Sequence, residues 1–355
     1  MVYLIAVSLS LFLSRIITVS KRASFLKKAF SIFLIALPLI IVSSLRLDIG
    51  TDYPNYEKIF DFIKTYKLNL FDYDIEPGYA LLNIAVNSVF HDFRWLIIVT
   101  SFFYVFFVFW FIYKESVDVG FSIFLFIALT FYFSSFNTVR EHLGISILLL
   151  SFPFIQKRKF FPFALLVFIA GMFHYSCFVF LIAFFLYPFK ITPKVAVILI
   201  LTFLVLSVPI SVLFTRFISA TPYSKYLDGE SGFTLASALG ILVQLSIFVF
   251  ASVFYKKDQK YSFYYSLQAI SLLICVFGGV IPLISRIKWI FFMPSIILIP
   301  LSLKNIKSYN DRLITKMIAS LLFVVYAFVV VFVKHSYEVY PYKSLFDAEG
   351  LSLWI

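Results

Sequence analysis

Residues 121–136 read FSIFLFIALTFYFSSF and carry no charged side chain. A second stretch, residues 235–255, reads LASALGILVQLSIFVFASVFY and is equally free of charge. A helix of about 20 apolar residues crosses the hydrocarbon core of a bilayer, which is about 30 Å thick. A membrane β-barrel needs alternating polar and apolar residues, and these stretches lack that alternation. The sequence therefore predicts an all-α integral membrane protein.

The composition of the whole chain agrees with this prediction. Of its 355 residues, 62% are hydrophobic and only 14% are charged, whereas soluble domains carry about 25% charged residues. The net charge of +12 is concentrated in short basic clusters, including residues 21–28, 157–159 and 256–260. Clusters of this kind mark cytoplasmic loops of membrane proteins. The basic balance thus implies a lipid bilayer as partner and no nucleic acid.

These clusters also predict a topology of about 12 transmembrane helices with both termini on the periplasmic or extracellular side of the inner (plasma) membrane. An even number of crossings must separate residues 21–28 from residues 157–159. The short stretch 78–90 reaches only about 20 Å as a helix, so we expect it to be interfacial or re-entrant. The predicted crossings are 1–19, 29–45, 95–113, 121–136, 143–155, 160–174, 175–188, 195–215, 233–254, 261–283, 287–303 and 317–333.

We expect one polytopic domain over residues 1–355, with three outer segments. These are a main loop at 46–77, a second loop at 216–232 and a C-terminal tail at 334–355. The main loop contains Asp48 and Asp52 directly after a helix end, followed by Tyr53 and Tyr56. Its turn residues favour a short amphipathic helix at 56–66.

Four arginines and one histidine fall at the outer ends of predicted helices: Arg46, Arg140, Arg216, Arg286 and His174. Charges near the membrane are costly, and they pair, snorkel or line a functional cavity. The planar fork of arginine matches phosphate oxygens and keeps its charge. A ring of such residues on the outer side indicates a site for a pyrophosphate at the membrane surface.

The run from Asn137 to His142 places a cation, a carboxylate and an imidazole between two apolar helices, with Glu141 beside Arg140. Asp52, Glu141, His142 and His174 are all candidates for a general base. The sequence has no GxxxxGK[ST] phosphate loop and no HExxH, CxxC or GxSxG motif. We therefore expect no cofactor and no metal site. The one DxD pattern, at residues 72–74, is a weak signal because an acidic loop produces it by chance.

Six short elements follow one another along the chain: RLDIGTDYPNY at 46–56, EPGY at 76–79, FNTVR at 136–140, FH at 173–174, Arg286 before an aromatic helix, and YPY at 340–342. Taken in order, these elements resemble the Wzy/EpsG family of polysaccharide polymerases, from about residue 30 to residue 345. The chain departs from the family pattern at Glu141, where glutamine is common, and at Lys288-Trp289.

The resemblance implies a specific reaction. The donor is a growing glycan on undecaprenyl pyrophosphate, and the acceptor is one lipid-linked repeat unit, with a chain-length regulator protein as a further partner. The four arginines would then neutralise charge on the pyrophosphate. Asp48, Tyr53 and Tyr56 would contact sugar, and the base would come from the four candidates above.

Three other functions fit parts of the same pattern. One is a glycosyltransferase that uses a polyprenyl-monophosphate sugar and a metal at Asp72/Asp74 or Asp48/Asp52. Another is a flippase for lipid-linked glycans, which the scarcity of charge inside the predicted membrane core disfavours. A third is an O-antigen ligase, whose large outer loop generally comes late in the chain, whereas here it comes early.

Overall fold

The computed structural model describes residues 1–17, 19, 22–66, 75–219, 235–278 and 284–348. Within these residues the chain is helical, and its one extended pairing is an isolated bridge between Arg46 and Ser344. The predicted all-α class is thereby confirmed. The helices are α1 (Val2–Ile16), α2 (Phe25–Ser44), α3 (Tyr53–Tyr66), α4 (Pro77–Phe90), α5 (Phe93–Glu115), α6 (Val119–Ala128), α7 (Phe131–Ser134), α8 (Val139–Leu149), α9 (Phe152–Gln156), α10 (Phe160–Phe173), α11 (Ile182–Leu186), α12 (Pro193–Ser219), α13 (Leu235–Val253), α14 (Gln259–Gly278), α15 (Ile284–Phe292), α16 (Ser295–Lys304), α17 (Tyr309–Phe328) and α18 (Leu345–Ala348).

In the described part of the chain, four spans are long and apolar enough to cross a membrane: Phe25–Ser44, Phe93–Glu115, Ile287–Lys304 and Tyr309–Val333. Shorter apolar helices accompany them, among them Val2–Ile16 and Phe160–Phe173. The chain is therefore a helical membrane protein. The count of about 12 crossings and the outer placement of the termini remain predictions.

Residues 121–136, predicted as one span, form two helices. Thr130 adopts the left-handed conformation, with φ of 64°, between α6 and α7. This conformation is unfavourable for a β-branched residue, so tertiary contacts must hold it. The Thr130 hydroxyl lies 3.1 Å from the hydroxyl of Tyr337, and Tyr104 donates to the carbonyl of Phe131. Breaks of this kind at membrane depth are tolerated where protein groups satisfy the freed backbone.

The predicted span 143–155 is likewise divided, into α8 and α9, and residues 175–188 contain a 3₁₀ helix, Tyr175–Leu181, before α11. The helix expected at 56–66 begins three residues earlier, at Tyr53, because the Asp52 carbonyl accepts hydrogen bonds from the backbone of Asn55 and Tyr56. Of the second outer loop, residues 216–219 still belong to α12, and residues 220–232 lie outside the described residues.

The contacts divide the chain into two compact units, and each is described by itself. The first contains Met1–Phe154, Phe161–Phe178 and Leu321–Ile355, and the second contains Ile155–Phe160 and Val179–Ser320. In the first unit, α2 packs against α1 and α5, and α5 also packs against α8. In the second unit, α14 packs against α12, α13, α15 and α16.

The loop predicted to face the outer side, residues 46–77, is a packed element of the first unit where the structure describes it. Tyr53, Tyr56 and Phe60 form one face of α3 at helical spacing, and all three are buried. They pack against Tyr79 of α4 and Phe93 at the start of α5. The helices α3 and α4 therefore cover the start of α5. The sequence analysis predicted that this end of the helix faces the outer side.

The C-terminal segment closes this end of the first unit. The Tyr3 hydroxyl donates to the carbonyl of Val339, and the Tyr342 hydroxyl donates to the carbonyl of Val42, both at 2.8 Å. The backbone N–H of Leu47 donates to the carbonyl of Lys343 at 3.0 Å. These bonds attach the tail to the start of α1 and to the end of α2, beside Arg46.

Candidate functional site

The carboxylate of Glu76 lies between a guanidinium and an imidazole. Its Oε2 accepts a hydrogen bond from Arg140 Nη1 at 2.5 Å, and its Oε1 lies 2.8 Å from His174 Nδ1. The side chain of Glu76 is 7% exposed, whereas those of Arg140 and His174 are 26% and 15% exposed. The carboxylate is thus covered, and the two groups that it holds are the ones that a ligand can reach.

The two partners of Glu76 determine its charge. Burial acts to raise the pKa of the Glu76 carboxyl, but the hydrogen bond with His174 and the charge of Arg140 outweigh burial and leave the pKa below its ordinary value of 4.5. Glu76 is therefore ionised at neutral pH. Glu76 and Arg140 together therefore carry no net charge.

A glycine brings Glu76 to His174. Glu76 is the N-cap residue of α4, and Pro77 occupies the first turn of that helix, where its missing N–H costs nothing. A Cβ added to Gly78 would lie 2.8 Å from both the Cβ and the carbonyl oxygen of Met172. Only glycine lets α4 begin this close to the end of α10, so the EPGY and FH elements contact each other.

A second glycine joins the RLDIGTDY and FNTVR elements. Gly50 has φ of +104°, and a Cβ there would lie 2.6 Å from the carbonyl oxygen of Phe136 and 3.0 Å from the side chain of Asn137. The guanidinium carbon of Arg46 lies 4.3 Å from the centre of the Phe136 ring. The loop after α2 is therefore packed directly against the turn that leads to Arg140.

Arg46 does not lie at the surface of the described unit. It is 3% exposed, and its Nε has no hydrogen-bond partner among the described residues. Burial lowers the pKa of the guanidinium, while the nearby tyrosines, Tyr53 and Tyr56 among them, act to raise it. Arg46 thus places a buried positive charge next to the tyrosines that surround Arg140.

Tyr56 and Tyr79 surround the guanidinium of Arg140. Its carbon lies 6.0 Å from the centre of the Tyr56 ring and 5.8 Å from that of Tyr79, within the range of a cation–π interaction. Tyr53 and Tyr56, predicted as sugar contacts, are 4% and 5% exposed. In this structure both rings pack inside the unit, and the Tyr56 ring lies beside the Arg140 guanidinium.

The other candidate bases are placed differently. His142 is fully buried, with Nε2 2.8 Å from the Ser134 hydroxyl and Nδ1 2.8 Å from the Thr138 hydroxyl, so both ring nitrogens are engaged within their own segment. Glu141 is buried in α8. Asp52 is partly exposed, and Asp48 is exposed in the same loop.

The remaining predicted arginines belong to the second unit. Arg216 is exposed in the last turn of α12. The backbone of Arg286 lies in α15, and its side chain is outside the described residues, as are Asp72 and Asp74. Within the described part of the chain, no group of three His, Cys, Asp or Glu side chains is placed to hold a metal ion.

The structure therefore brings together Arg140 and His174, with Arg46, Asp52, Tyr53 and Tyr56 in the surrounding segments. It adds Glu76, which sequence analysis noted only as part of the EPGY element. The signal for Glu76 was an acidic residue directly before a proline and a glycine at the start of a helix. What the sequence did not indicate is that this acid contacts both other charged side chains.

Long apolar helices with a charged cluster at their ends are the features of a helical membrane protein. Residues 29–344 match the family model of the EpsG family, nearly the whole chain. The protein is a member of the EpsG family, a family of Wzy-like polysaccharide polymerases. No curated protein and no solved structure matches the chain. The resemblance seen in the sequence is thus confirmed at the level of the family.

Proposed function

We propose that this protein polymerises polysaccharide at the outer face of the inner membrane. It transfers a growing glycan from undecaprenyl pyrophosphate to a sugar hydroxyl of a lipid-linked repeat unit. The observation that carries the proposal is the convergence of four separate sequence elements, at 46–56, 76–79, 136–140 and 173–174, around the partly exposed guanidinium of Arg140.

Arg140 is the group best placed for the leaving pyrophosphate. Negative charge develops on the pyrophosphate as the bond to the anomeric carbon breaks, and a preorganised guanidinium stabilises that charge. Glu76, Tyr56 and Tyr79 hold the guanidinium in one position. A group already held in place needs no reorganisation at the moment of reaction, so its effect on the rate is larger than that of a mobile cation.

Arg140 alone cannot neutralise the charge of the substrate, because Glu76 already neutralises Arg140. A pyrophosphate diester carries two negative charges, so further cations are needed. Arg46 supplies a buried positive charge beside the same tyrosines. Arg216 and Arg286 are the other proposed pyrophosphate residues. Asp48 is proposed to accept hydrogen bonds from sugar hydroxyls, and Asp52 is one of the proposed bases. The lipid pyrophosphate bond supplies the energy, so the reaction needs no nucleotide or other cofactor.

A gene deletion complemented with variants tests this proposal. The surface glycan is examined on a gel after complementation with wild type, with Arg140→Ala and with the control Arg94→Ala, whose side chain is about half exposed and paired with Asp92. We expect a ladder with wild type and Arg94→Ala, and a single repeat unit on lipid with Arg140→Ala. An unchanged ladder in the deletion strain contradicts polymerisation, and glycan accumulating on the inner leaflet indicates a flippase instead.

A further inference from the structure

We infer that Nε2 of His174 is the general base of the polymerisation and that Glu76 is the residue that positions it. This inference rests on the proposed function and selects one of the four candidate bases. It also assigns a role to Glu76, to which the predicted set of site residues gave none.

The geometry determines which ring nitrogen is available. The ionised Glu76 carboxylate only accepts hydrogen bonds, so the neutral His174 ring must carry its proton on Nδ1, 2.8 Å from Oε1. Nε2 then holds a lone pair. It has no hydrogen-bond partner among the described residues, and the His174 side chain is 15% exposed. A carboxylate that fixes the tautomer and leaves Nε2 open is the arrangement that activates hydroxyl nucleophiles in unrelated enzymes.

The other candidates lack one of these features. His142 is fully buried with both ring nitrogens engaged, and Glu141 is buried within α8. Glu76 itself is a poor base because both of its oxygens are occupied and its pKa is lowered. Asp52 is partly exposed, but a carboxylate is a weaker base than a neutral imidazole near neutral pH.

The proposed step transfers the glycan to the acceptor and one proton to His174. The acceptor hydroxyl gives its proton to Nε2, and its oxygen forms a bond with the anomeric carbon of the donor. The bond between that carbon and the pyrophosphate oxygen breaks, and its electron pair leaves on undecaprenyl pyrophosphate. Glu76 stabilises the imidazolium that forms, and Arg140 stabilises the departing anion. The imidazolium then releases its proton to water. The Glu76 carboxylate therefore positions both the His174 base and the Arg140 guanidinium.

The test uses the full-length protein in lipid bilayers with a lipid-linked repeat unit as substrate, and the rate is measured as a function of pH. His174→Ala is expected to lower kcat by about 10²–10⁴-fold with a smaller change in KM. Added imidazole should restore part of the rate to this variant, since it supplies the missing base. The control His91→Asn replaces an exposed histidine at the left-handed C-cap of α4 and should keep the wild-type rate.

The positioning role of Glu76 has its own readout. Glu76→Gln keeps the shape of the side chain but removes the charge that stabilises the imidazolium. We expect a lower rate and an acidic limb of the pH profile displaced to lower pH, and partial recovery of both with Glu76→Asp. The titratable and charged groups around His174 are Glu76, Arg140, His142 and Cys177, with Glu141 next to Cys177.

The outcomes separate the two proposals. If the wild-type protein makes no polymer from lipid-linked repeat units, the proposed function fails. If it makes polymer and a folded His174→Ala variant retains its rate, the assignment of the base is overturned while the function stands. If His174→Ala does not fold, His174→Gln is measured in its place, and a full rate there overturns the assignment as well.

Discussion

Glu76 Oε2 and Arg140 Nη1 lie 2.5 Å apart, although 64 residues separate them in the chain. The pair forms where the start of α4 meets the start of α8, and the third partner, His174, comes from the end of α10. Removing one member of a buried ion pair leaves the other charge without compensation, which costs about 3–5 kcal/mol when both are fully buried. The partial exposure of Arg140 reduces this cost here.

Glu76→Gln is therefore expected to lower the free energy of unfolding by about 1–3 kcal/mol. Thermal unfolding of the purified protein in detergent measures the change. Asp92→Asn is the matched control, because Asp92 also begins a helix and pairs with an arginine, but both partners are exposed. We expect the control to change stability by less than about 1 kcal/mol. Equal effects of the two substitutions would contradict a special role for the Glu76 pair.

The contribution of this pair should depend on pH in one direction. The pKa of the Glu76 carboxyl is lowered on folding, so the folded state binds its proton less readily than the unfolded state does. The stability difference between wild type and Glu76→Gln should therefore be fully present above the ordinary pKa of 4.5. It should disappear as the pH falls through the lowered pKa. A difference that is largest in acid would show that the carboxyl is protonated in the folded protein.

Gly50→Ala should destabilise the first unit. The positive φ of Gly50 is unfavourable for alanine, and the added methyl would meet the Phe136 carbonyl at 2.6 Å. We expect a loss of about 1–3 kcal/mol together with reduced polymerisation. Gly240→Ala provides the contrast, since Gly240 lies inside α13 with nothing within 4 Å of the new methyl. That substitution should be neutral or stabilising by up to about 1 kcal/mol.

The attachment of the C-terminal segment can be measured by removing one hydroxyl. Tyr342→Phe deletes the hydrogen bond to the Val42 carbonyl but keeps the ring that packs edge-on against Tyr3. We expect a loss of about 1 kcal/mol in thermal unfolding. Tyr340→Phe, two residues earlier, alters an exposed tyrosine and should leave stability unchanged. If both variants unfold as wild type does, the tail does not stabilise this end of the unit.

The predicted topology can be tested by cysteine labelling. Thr51 and Lys256 are both exposed, and the native Cys177 and Cys275 are buried, so background labelling should be low. A membrane-impermeant maleimide should label Thr51→Cys on intact cells and Lys256→Cys only after lysis. The reverse pattern would invert the topology and place the Arg140 site in the cytoplasm.

Several features were predictable because they depend on local composition. The apolar stretches and the short basic clusters identified a helical membrane protein, and the order of the loose elements identified its family. The amphipathic helix in the outer loop was found within three residues of its start, since the spacing of Tyr56 and Phe60 already marks the buried face.

The break at Thr130 could not be predicted in this way. The stretch around it carries no charged residue and is mostly apolar, so it resembles one continuous span. The interruption depends on a hydroxyl contact with Tyr337, 207 residues away. The burial of Arg46 against the Phe136 ring could not be predicted either. A sequence shows that an arginine follows a helix, but it does not show whether other segments cover that arginine.

By itself, then, the sequence determined the membrane environment, the helical class and the family, and it supplied a set of candidate site residues. Hydrophobicity, charge and motif spacing are properties of neighbouring residues, so they can be read along the chain. The tertiary structure alone decided which of those residues meet. It placed Glu76 between Arg140 and His174, 64 and 98 residues away. It also directed Nδ1 of His174 to Glu76 and left Nε2 open, because both residues lie where separate helices pack at their ends.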